Sequence, residues 1–222
     1  MKSSEILTSG LETAGIELAS VVIAKELVFL DELLRWNKKI NLTAIEDYTE
    51  AIEKHLIDSL YLIKYLPEEQ IILDVGSGGG LPGVPLALAR PDLKILSVDS
   101  SGKKINFQKH IKRLLQVKNF TPIACRAESI AELIKTEDIS FVIARAFTSL
   151  ERLIELSAPL LGFKGCLLAM KGPEGTRELD EADEVARENN FSRKEVIKYK
   201  LPFSLAERQF IVLKKGCIQN KG

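Results

Sequence analysis

The stretch LDVGSGGGLPGVPLALARPD, from Leu73 to Asp92, places five glycines and three prolines among two apolar runs. The run IILDV before the glycines has the length and composition of a buried strand, and VPLALA after them is typical of a helix. Glycine lacks a Cβ atom, so it permits positive φ angles and lets a ligand lie directly against the main chain. A strand, a glycine turn and a helix in this order predict the first unit of a doubly wound sheet, with a ligand at the turn.

The chain beyond this unit repeats the alternation of strand and helix. Strands are predicted at KILSVD, FTPIAC, ISFVIA and GCLLAMK, with helices over 101–116, 128–135 and 150–157. This alternation implies right-handed crossovers and a parallel sheet. After a helix over 174–188, the segments SRKEVIKYKL and RQFIVLKK leave little room for another helix, so they predict an antiparallel pair. The fold class is therefore α/β, a doubly wound, mostly parallel seven-stranded sheet with an antiparallel C-terminal strand.

The chain before the glycine turn predicts helices and no strand. Apolar residues recur at helical spacing from Glu17 to Lys39. The segment TEAIEKHLIDSLYLIKYL predicts a second helix that Thr49 caps and Pro67 ends. We therefore predict a helical N-terminal extension over 1–48, packed on a main domain over 49–222.

Composition and charge argue against several classes of protein. The 222 residues are 45% apolar, and Lys plus Arg (31) balance Asp plus Glu (31), so a nucleic-acid partner must be met by a local patch. Three cysteines and two histidines show no metal-ligand spacing. No stretch approaches the roughly 20 apolar residues that cross a bilayer. We expect a cytoplasmic monomer with no metal and no membrane partner.

The glycine turn also matches a dinucleotide-binding pattern. Gly78, Gly80 and Gly83 fit G-x-G-x-x-G, with Asp99 about 20 residues further on. This match supports the alternative of an NAD-dependent oxidoreductase. The glycine that directly follows the strand is Gly76, however, and from there the third position of the pattern is not a glycine.

Two neighbours of the turn argue against a phosphate. Pro82 removes an amide that would face a pyrophosphate, and Asp74 places a negative charge before the turn. Both features suit S-adenosylmethionine, which carries a sulfonium and no phosphate. Asp99, at the end of the second strand, would accept hydrogen bonds from the ribose hydroxyls. Ala127 and Glu128 lie where backbone amides would meet the adenine edge, although Glu128 is equally explained as a helix N-terminal charge.

Several further blocks of sequence carry a family resemblance. They are WNKKINLTAI (36–45), HLIDSL (55–60), LDVGSGGGLPGVPLA (73–87), VDSSGKK (98–104), RAES (126–129), ARAFTSL (144–150) and ERQFIVLKK (207–215). With them the chain resembles the bacterial methyltransferase G family of small-subunit ribosomal RNA, also called glucose-inhibited division protein B. The resemblance implies the class I methyltransferase fold and methyl transfer from S-adenosylmethionine to guanine N7 of 16S ribosomal RNA near the decoding site. S-adenosylhomocysteine would be the product.

The resemblance also implies which residues contact the cofactor. Carried over to this sequence, they are Gly76, Leu81, Asp99, Ser100, Ser101, Ala127, Glu128 and Arg145. We add Gly78 and Gly80 because they belong to the same turn. No block of the family pattern is missing.

The residues after the fourth strand agree with attack by a ring nitrogen. The chain there reads Arg145, Ala146, Phe147, without the Asn/Asp-Pro-Pro-aromatic run of amine methyltransferases or the cysteine that activates cytosine carbon-5. Guanine N7 has an available lone pair, so alignment suffices and no general base is needed. An arginine bound to both O6 and N7 would cover the nucleophile. Arg126 or Arg145 is therefore expected to hold O6, a phosphate or the cofactor, with a strand-end salt bridge as the alternative.

Other substrate-positioning candidates have equally good structural explanations. Phe147 would stack on a flipped guanine or belong to the core. His55 and Asp58, one helical turn apart, would line the RNA side of the site or form a surface pair.

A basic segment provides the expected contact with RNA. Between Ser100 and Ala127 the chain has seven basic residues and no acidic one. They are Lys103, Lys104, Lys109, Lys112, Arg113, Lys118 and Arg126, and Arg208 on the last strand would add to them. This excess predicts binding of 16S rRNA or the small ribosomal subunit, with a solvated helix face as the alternative. A non-catalytic RNA-binding protein remains a further hypothesis.

Overall fold

The sheet of the protein has seven strands in a computed structural model that describes residues 2–134 and 138–216. They are β1 (Ile71–Val75), β2 (Lys94–Asp99), β3 (Phe120–Ala124), β4 (Phe141–Arg145), β5 (Cys166–Lys171), β6 (Phe191–Lys200) and β7 (Glu207–Lys215). Their order across the sheet is β3–β2–β1–β4–β5–β7–β6. The first five strands pair in parallel, and β7 is antiparallel to both neighbours. The predicted fold class is confirmed.

Helices cover both faces of the sheet and precede it. They are α1 (Ser3–Thr13), α2 (Ser20–Ile40), α3 (Tyr48–Ala51), α4 (Asp58–Leu60), α5 (Gly83–Ala89), α6 (Gly102–Leu114), α7 (Ile130–Leu133), α8 (Leu150–Ser157), α9 (Gly175–Glu181) and α10 (Asp183–Glu188). A π-helical turn, Ile52–Ile57, joins α3 to α4, and a 3-10 helix, Tyr61–Tyr65, follows. Because crossover helices cover both faces, β1, β2 and β5 are buried almost throughout.

Several predicted helix bounds differ from the structure. The first helix, α1, was not predicted; its short apolar stripe of Leu7 and Leu11 becomes visible only through burial. The predicted cap Thr49 already lies inside a helix, and the Asp47 carboxylate instead accepts the Glu50 N–H at 2.7 Å. The helix predicted over 174–188 is divided at Ala182 into α9 and α10.

The helix predicted over 128–135 is also shorter in the structure. The chain forms a 3-10 turn, Ala127–Ser129, before the single turn of α7. The last residue of the prediction, Lys135, lies outside the described residues.

The N-terminal helices share a hydrophobic core with one face of the sheet. Phe29 and Leu33 of α2 are fully buried, and the Phe29 ring lies 6.3 Å from Phe107 of α6 between centroids. Trp36 packs on the same ring at 5.5 Å. The boundary at residue 48 stays a prediction, but the extension packs against the main domain. No helix in the described ranges has both the length and the apolar character needed to cross a bilayer.

Glu26 is an exception within this core. Its side chain is fully buried in α2, and neither carboxylate oxygen has a hydrogen-bond partner within residues 2–134 and 138–216. Burial raises the pKa of Glu26 well above its usual value. The folded protein therefore holds this carboxyl in its protonated form over a wider pH range than the unfolded chain does.

Replacing Glu26 with leucine is expected to stabilise the protein. An unpaired polar group in an apolar core costs about 1–3 kcal/mol, and Glu26→Leu removes it. The raised pKa makes the wild type lose stability as pH rises above the unfolded pKa of about 4.3, so the gain should be larger at pH 8 than at pH 5. Urea unfolding at both pH values measures it. Glu12→Leu, at an exposed position of α1, is the control; an equal gain there would contradict the explanation.

Candidate active site

The glycine turn lies between β1 and α5, at the carboxyl edge of the sheet. Gly76 has a φ of 69°, and a Cβ atom there would collide with the Phe147 ring. The N–H groups of Gly76 and Ser77 both donate to the carbonyl of Val98, at 2.9 and 3.0 Å. These bonds fix the turn to the end of β2. Positive φ and close ring packing together require glycine at position 76.

Asp99 and Gln108 hold the rest of the turn. The Asp99 carboxylate accepts the Gly78 N–H at 2.9 Å and the Ser101 N–H at 2.8 Å. Gln108, fully buried on α6, donates to the Ser77 hydroxyl and the Gly78 carbonyl, both at 2.8 Å. Gln108 was not predicted, although a polar residue between the buried Ile105 and Ile111 on one helix is an unusual pattern.

Asp74, on β1, also supports the glycine turn. Its Oδ2 accepts the Gly83 N–H at 3.0 Å, while Oδ1 has no partner among the described residues. A Cβ on Gly83 would lie 2.7 Å from the same carboxylate oxygen. Burial raises the pKa of Asp74 to about 7. Asp74 therefore repels a phosphate less than an exposed, ionised carboxylate would, because its carboxyl is buried and partly protonated near neutral pH.

A pocket of about 490 Å³ opens beside the turn. Predicted site residues that line it are Gly76, Asp99, Ser100, Ser101, Arg126, Glu128 and Phe147. Other lining residues are Val75, Val98, Lys104, Cys125, Ile130 and Ala146. We call it the cofactor pocket. Lys104, predicted for RNA, thus lies beside the cofactor pocket.

Among the predicted cofactor residues, Leu81, Gly78, Gly80 and Arg145 do not line this pocket. Leu81 is buried, and Gly78 and Gly80 have φ angles of 55° and 84° within the turn itself. Ala127 begins the 3-10 turn after β3. Arg145 lines a different pocket. Their contacts with a cofactor stay predictions.

The lining of the cofactor pocket fits S-adenosylmethionine. Each Asp99 oxygen accepts one backbone N–H and keeps acceptor capacity for the ribose hydroxyls. Val98 and Ile130 supply apolar surface for a base. Glu128 lies at the rim and pairs with the exposed Arg152 at 3.2 Å, so both explanations of Glu128 remain open. The Phe147 ring packs against Gly76 and lines the cofactor pocket.

A second pocket, of about 480 Å³, adjoins the first at Ala146. Ala146 has a φ of 49°, a left-handed conformation that is uncommon for a residue with a Cβ. The second pocket is also lined by Thr43, Ala44, Ile45, Lys54, His55, Asp58, Arg145, Met170, Lys171, Gly172, Glu178 and Arg208. We call it the base pocket. Its predicted members are His55, Arg145 and Arg208, with Asp58 beside His55.

His55 lies in the π-helical turn and is neutral. The Thr43 hydroxyl lies 2.7 Å from its Nε2, and an Arg145 guanidinium nitrogen lies 3.4 Å from its Nδ1. Because a guanidinium only donates, Nδ1 is assigned as the acceptor and Nε2–H as the donor to Thr43. Burial, with the Arg145 charge, lowers the pKa of His55 to about 3. π-Turns within helices often occur at functional sites.

Thr43 reaches His55 because of the turn after α2. The Asn37 side chain accepts the Leu42 and Thr43 N–H groups at 2.6 and 2.8 Å, and Asn41 ends the helix with a φ of 51°. The polar groups of WNKKINLT thus form one wall of the base pocket. Thr43 was not predicted as a site residue, since its partner lies in another helix.

Asp58 lies among cationic and phenolic groups. The Tyr199 hydroxyl donates to its Oδ1 at 2.7 Å, and the Arg208 Nε lies 3.7 Å from Oδ2. Burial raises the pKa of Asp58, against the opposing effects of Arg145, Tyr199 and Arg208. Arg145 itself donates to the Lys54 carbonyl at 2.9 Å. Of the two alternatives for His55 and Asp58, the surface pair is wrong, because both side chains are buried. Their contact with RNA stays a prediction.

Four more of the predicted RNA residues lie on α6. Lys103, Lys109 and Arg113 are exposed, and Lys112 is half-buried. Lys109, Lys112 and Arg113 line an open cleft of about 660 Å³ together with Trp36 and His110. Cations of α6 therefore lie both at the cofactor pocket and at this cleft. We call the exposed cations of this helix the α6 surface.

Comparisons with known proteins agree with this geometry. A family model described as rRNA small subunit methyltransferase G matches residues 23–211. A protein named ribosomal RNA small subunit methyltransferase G from Syntrophotalea carbinolica is 44% identical, over 92% of this chain and 94% of its own length. The protein of that name from Desulfotalea psychrophila is 38% identical, over 94% and 96%.

Solved structures share the fold at low sequence identity. An S-adenosylmethionine-dependent O-methyltransferase from Thermotoga maritima superposes with a TM-score of 0.57 at 17% identity, over 85% of this chain and 73% of that one. A precorrin-6y C5,15-methyltransferase from Geobacter metallireducens gives 0.55 at 14%, over 80% and 92%. The family match and the curated relatives span most of the chain, so this protein belongs to the rRNA small subunit methyltransferase G family, a family of S-adenosylmethionine-dependent methyltransferases.

Proposed function

We propose that the enzyme transfers a methyl group from S-adenosylmethionine to N7 of a guanine in 16S rRNA, near the decoding site. The observation that carries this proposal is the meeting of the cofactor pocket and the base pocket at Ala146. A base held in one pocket would face a methyl group held in the other. The names of the curated relatives support a small-subunit rRNA substrate.

The residues of the two pockets act by binding and orientation. The cofactor supplies an activated methyl group on its sulfonium. Asp99 would hold the ribose, and the backbone of the turn would fix the sulfonium end against the main chain. Alignment of nucleophile and methyl group is worth up to about 7–11 kcal/mol in favourable systems. Guanine N7 needs no deprotonation, which suits a base pocket whose histidine has a pKa of about 3.

Arg145 and Arg208 are the two arginines that line the base pocket. Arg145 donates to the Lys54 carbonyl, and Arg208 lies 3.7 Å from Asp58, so both side chains have fixed directions. Either could donate to guanine O6 without covering N7. The oxidoreductase and the non-catalytic hypotheses are not retained, since the family consists of methyltransferases. We further propose that the enzyme acts as a metal-free monomer in the cytoplasm, on rRNA or on the small subunit.

Asp99→Asn is expected to weaken cofactor binding. An amide has one acceptor oxygen, so it cannot serve the two backbone N–H groups and the ribose together. Loss of a hydrogen bond to a charged acceptor corresponds to roughly 10- to 100-fold in affinity. Calorimetry with S-adenosylhomocysteine measures the change. The control is Asp92→Asn, which changes an acidic residue just before the start of β2. Unaltered affinity in Asp99→Asn would contradict the ribose role.

Neutralising the α6 surface is expected to weaken RNA binding. The double variant Lys109→Gln/Arg113→Gln removes two exposed cations, and each lost phosphate contact should flatten the logarithmic salt dependence by about 0.7–0.9. Binding of 16S rRNA at several salt concentrations measures this slope. A control variant, Lys25→Gln/Lys164→Gln, changes the net charge equally at two exposed lysines outside α6. Equal slopes in both variants would remove the α6 surface from the proposal.

Methyl transfer should show no titration of His55 near neutral pH. Its pKa of about 3 lies far below the ordinary value of 6.5, so the ring stays neutral between pH 6 and pH 9. The profiles of kcat against pH for the wild type and His55→Gln should therefore be parallel, even if the variant is slower. A limb near pH 6.5 that is present only in the wild type would show that His55 exchanges a proton during turnover.

A further inference from the structure

The base pocket contains an ion pair that the proposed chemistry does not use. Lys171, at the end of β5, donates to Glu178 Oε2 of α9 at 2.6 Å and to the Thr148 carbonyl at 3.0 Å. The Lys171 side chain is 13% exposed and that of Glu178 is 28% exposed. Among the described residues, Glu178 Oε1 accepts no hydrogen bond. A carboxylate of fixed direction thus keeps one free oxygen at the pocket wall.

The position of this carboxylate follows from the order of the strands. The base pocket extends from Ala146, which follows β4, past the end of β5 to Arg208 on β7. Glu178 belongs to α9, which packs on β7. Each step from β4 to β5 and then to β7 leads about 4.8 Å further from the cofactor pocket. Glu178 therefore lies on the side of the base pocket that faces away from the cofactor. A purine with N7 at Ala146 would turn its opposite edge towards that side.

The other carboxylate of the pocket is already occupied. Asp58 accepts the Tyr199 hydroxyl at 2.7 Å, faces Arg208 at 3.7 Å, and its side chain is only 6% exposed. Its partners leave it little capacity to bind a base. Glu178 is the more accessible of the two and has fewer partners.

We propose that Glu178 selects guanine by accepting hydrogen bonds from its N1–H and 2-amino groups. This inference rests on the proposed function, because it assumes a guanine in the base pocket. The N1 and 2-amino edge of guanine offers adjacent donors, which suit an acceptor-only carboxylate. Adenine has a lone pair at N1 and no 2-amino group, so the same carboxylate would repel it. Lys171 is then a positioning residue that fixes the Glu178 carboxylate.

The test combines an enzyme variant with a change in the base. The methylated position is first mapped with the wild-type enzyme on 16S rRNA. Synthetic rRNA fragments then carry either guanosine or inosine at that position. Inosine keeps N7, O6 and N1–H but lacks the 2-amino group. The value of kcat/KM is measured for both fragments with the wild type and with Glu178→Gln.

A specific interaction between Glu178 and the amino group predicts a non-additive result. The wild type should prefer guanosine to inosine roughly tenfold, as expected for loss of one bond of a two-bond contact. Glu178→Gln should lose roughly 10- to 100-fold on guanosine, and its preference between the two bases should fall close to one. An undiminished preference in Glu178→Gln, or no preference in the wild type, would overturn the inference.

Two further variants separate recognition from a structural role. Lys171→Met breaks the ion pair but keeps the carboxylate, so it should lower kcat/KM while retaining a preference for guanosine. Glu181→Gln changes a carboxylate of the same helix outside the pocket lining and should behave as the wild type. Even if Glu178→Gln does not fold, equal use of guanosine and inosine by the wild type would overturn the inference, and Lys171→Met still tests whether the position of the carboxylate matters. Absence of N7 methylation by the wild type would instead refute the proposed function, a different outcome from equal use of both bases.

Discussion

Both oxygens of the Asp99 carboxylate accept a backbone N–H, one from the glycine turn and one from Ser101, which precedes α6. This pair of bonds joins three segments at the carboxyl edge of the sheet. Gln108 adds a second connection from α6 to the same turn. A turn with glycine at positions 76, 78, 79 and 80 has large conformational entropy in the unfolded chain, so it requires such bonds to become rigid. The shape of the cofactor pocket depends on them.

The base pocket is built on a different principle. Its polar groups come from the turn after α2, the π-helical turn, and the ends of β4, β5 and β7. Each buried charge has at least one partner: Arg145 has the Lys54 carbonyl, and Asp58 has Tyr199 and Arg208. Removing one partner would leave a buried charge uncompensated, at a cost of several kcal/mol. The N-terminal helices therefore do more than cover the sheet, because they bring Thr43 to His55.

The electrostatics of the two pockets agree with catalysis by positioning. His55 is held neutral by burial and by Arg145, and the Asp58 carboxylate is held in place by Tyr199 and Arg208. A reaction in which the nucleophile already has a lone pair needs orientation more than proton transfer. The sequence alone suggested this, because no acid–base pair follows the fourth strand. The structure adds the physical cause, in the burial and the partners of each group.

The sequence by itself determined the fold class, the glycine turn and the position of Asp99, because strand runs, glycines and the end of β2 are local signals along the chain. It also indicated Arg145 through the family resemblance and His55 through its helical spacing to Asp58, but not their contacts. Gln108, Thr43, Tyr199, Lys171 and Glu178 became visible only in the tertiary structure. Their partners lie in other elements; Tyr199 and Asp58, for example, are 141 residues apart. Local patterns carry no information about such contacts, so packing of the N-terminal helices and of β7 against the sheet decided the base pocket.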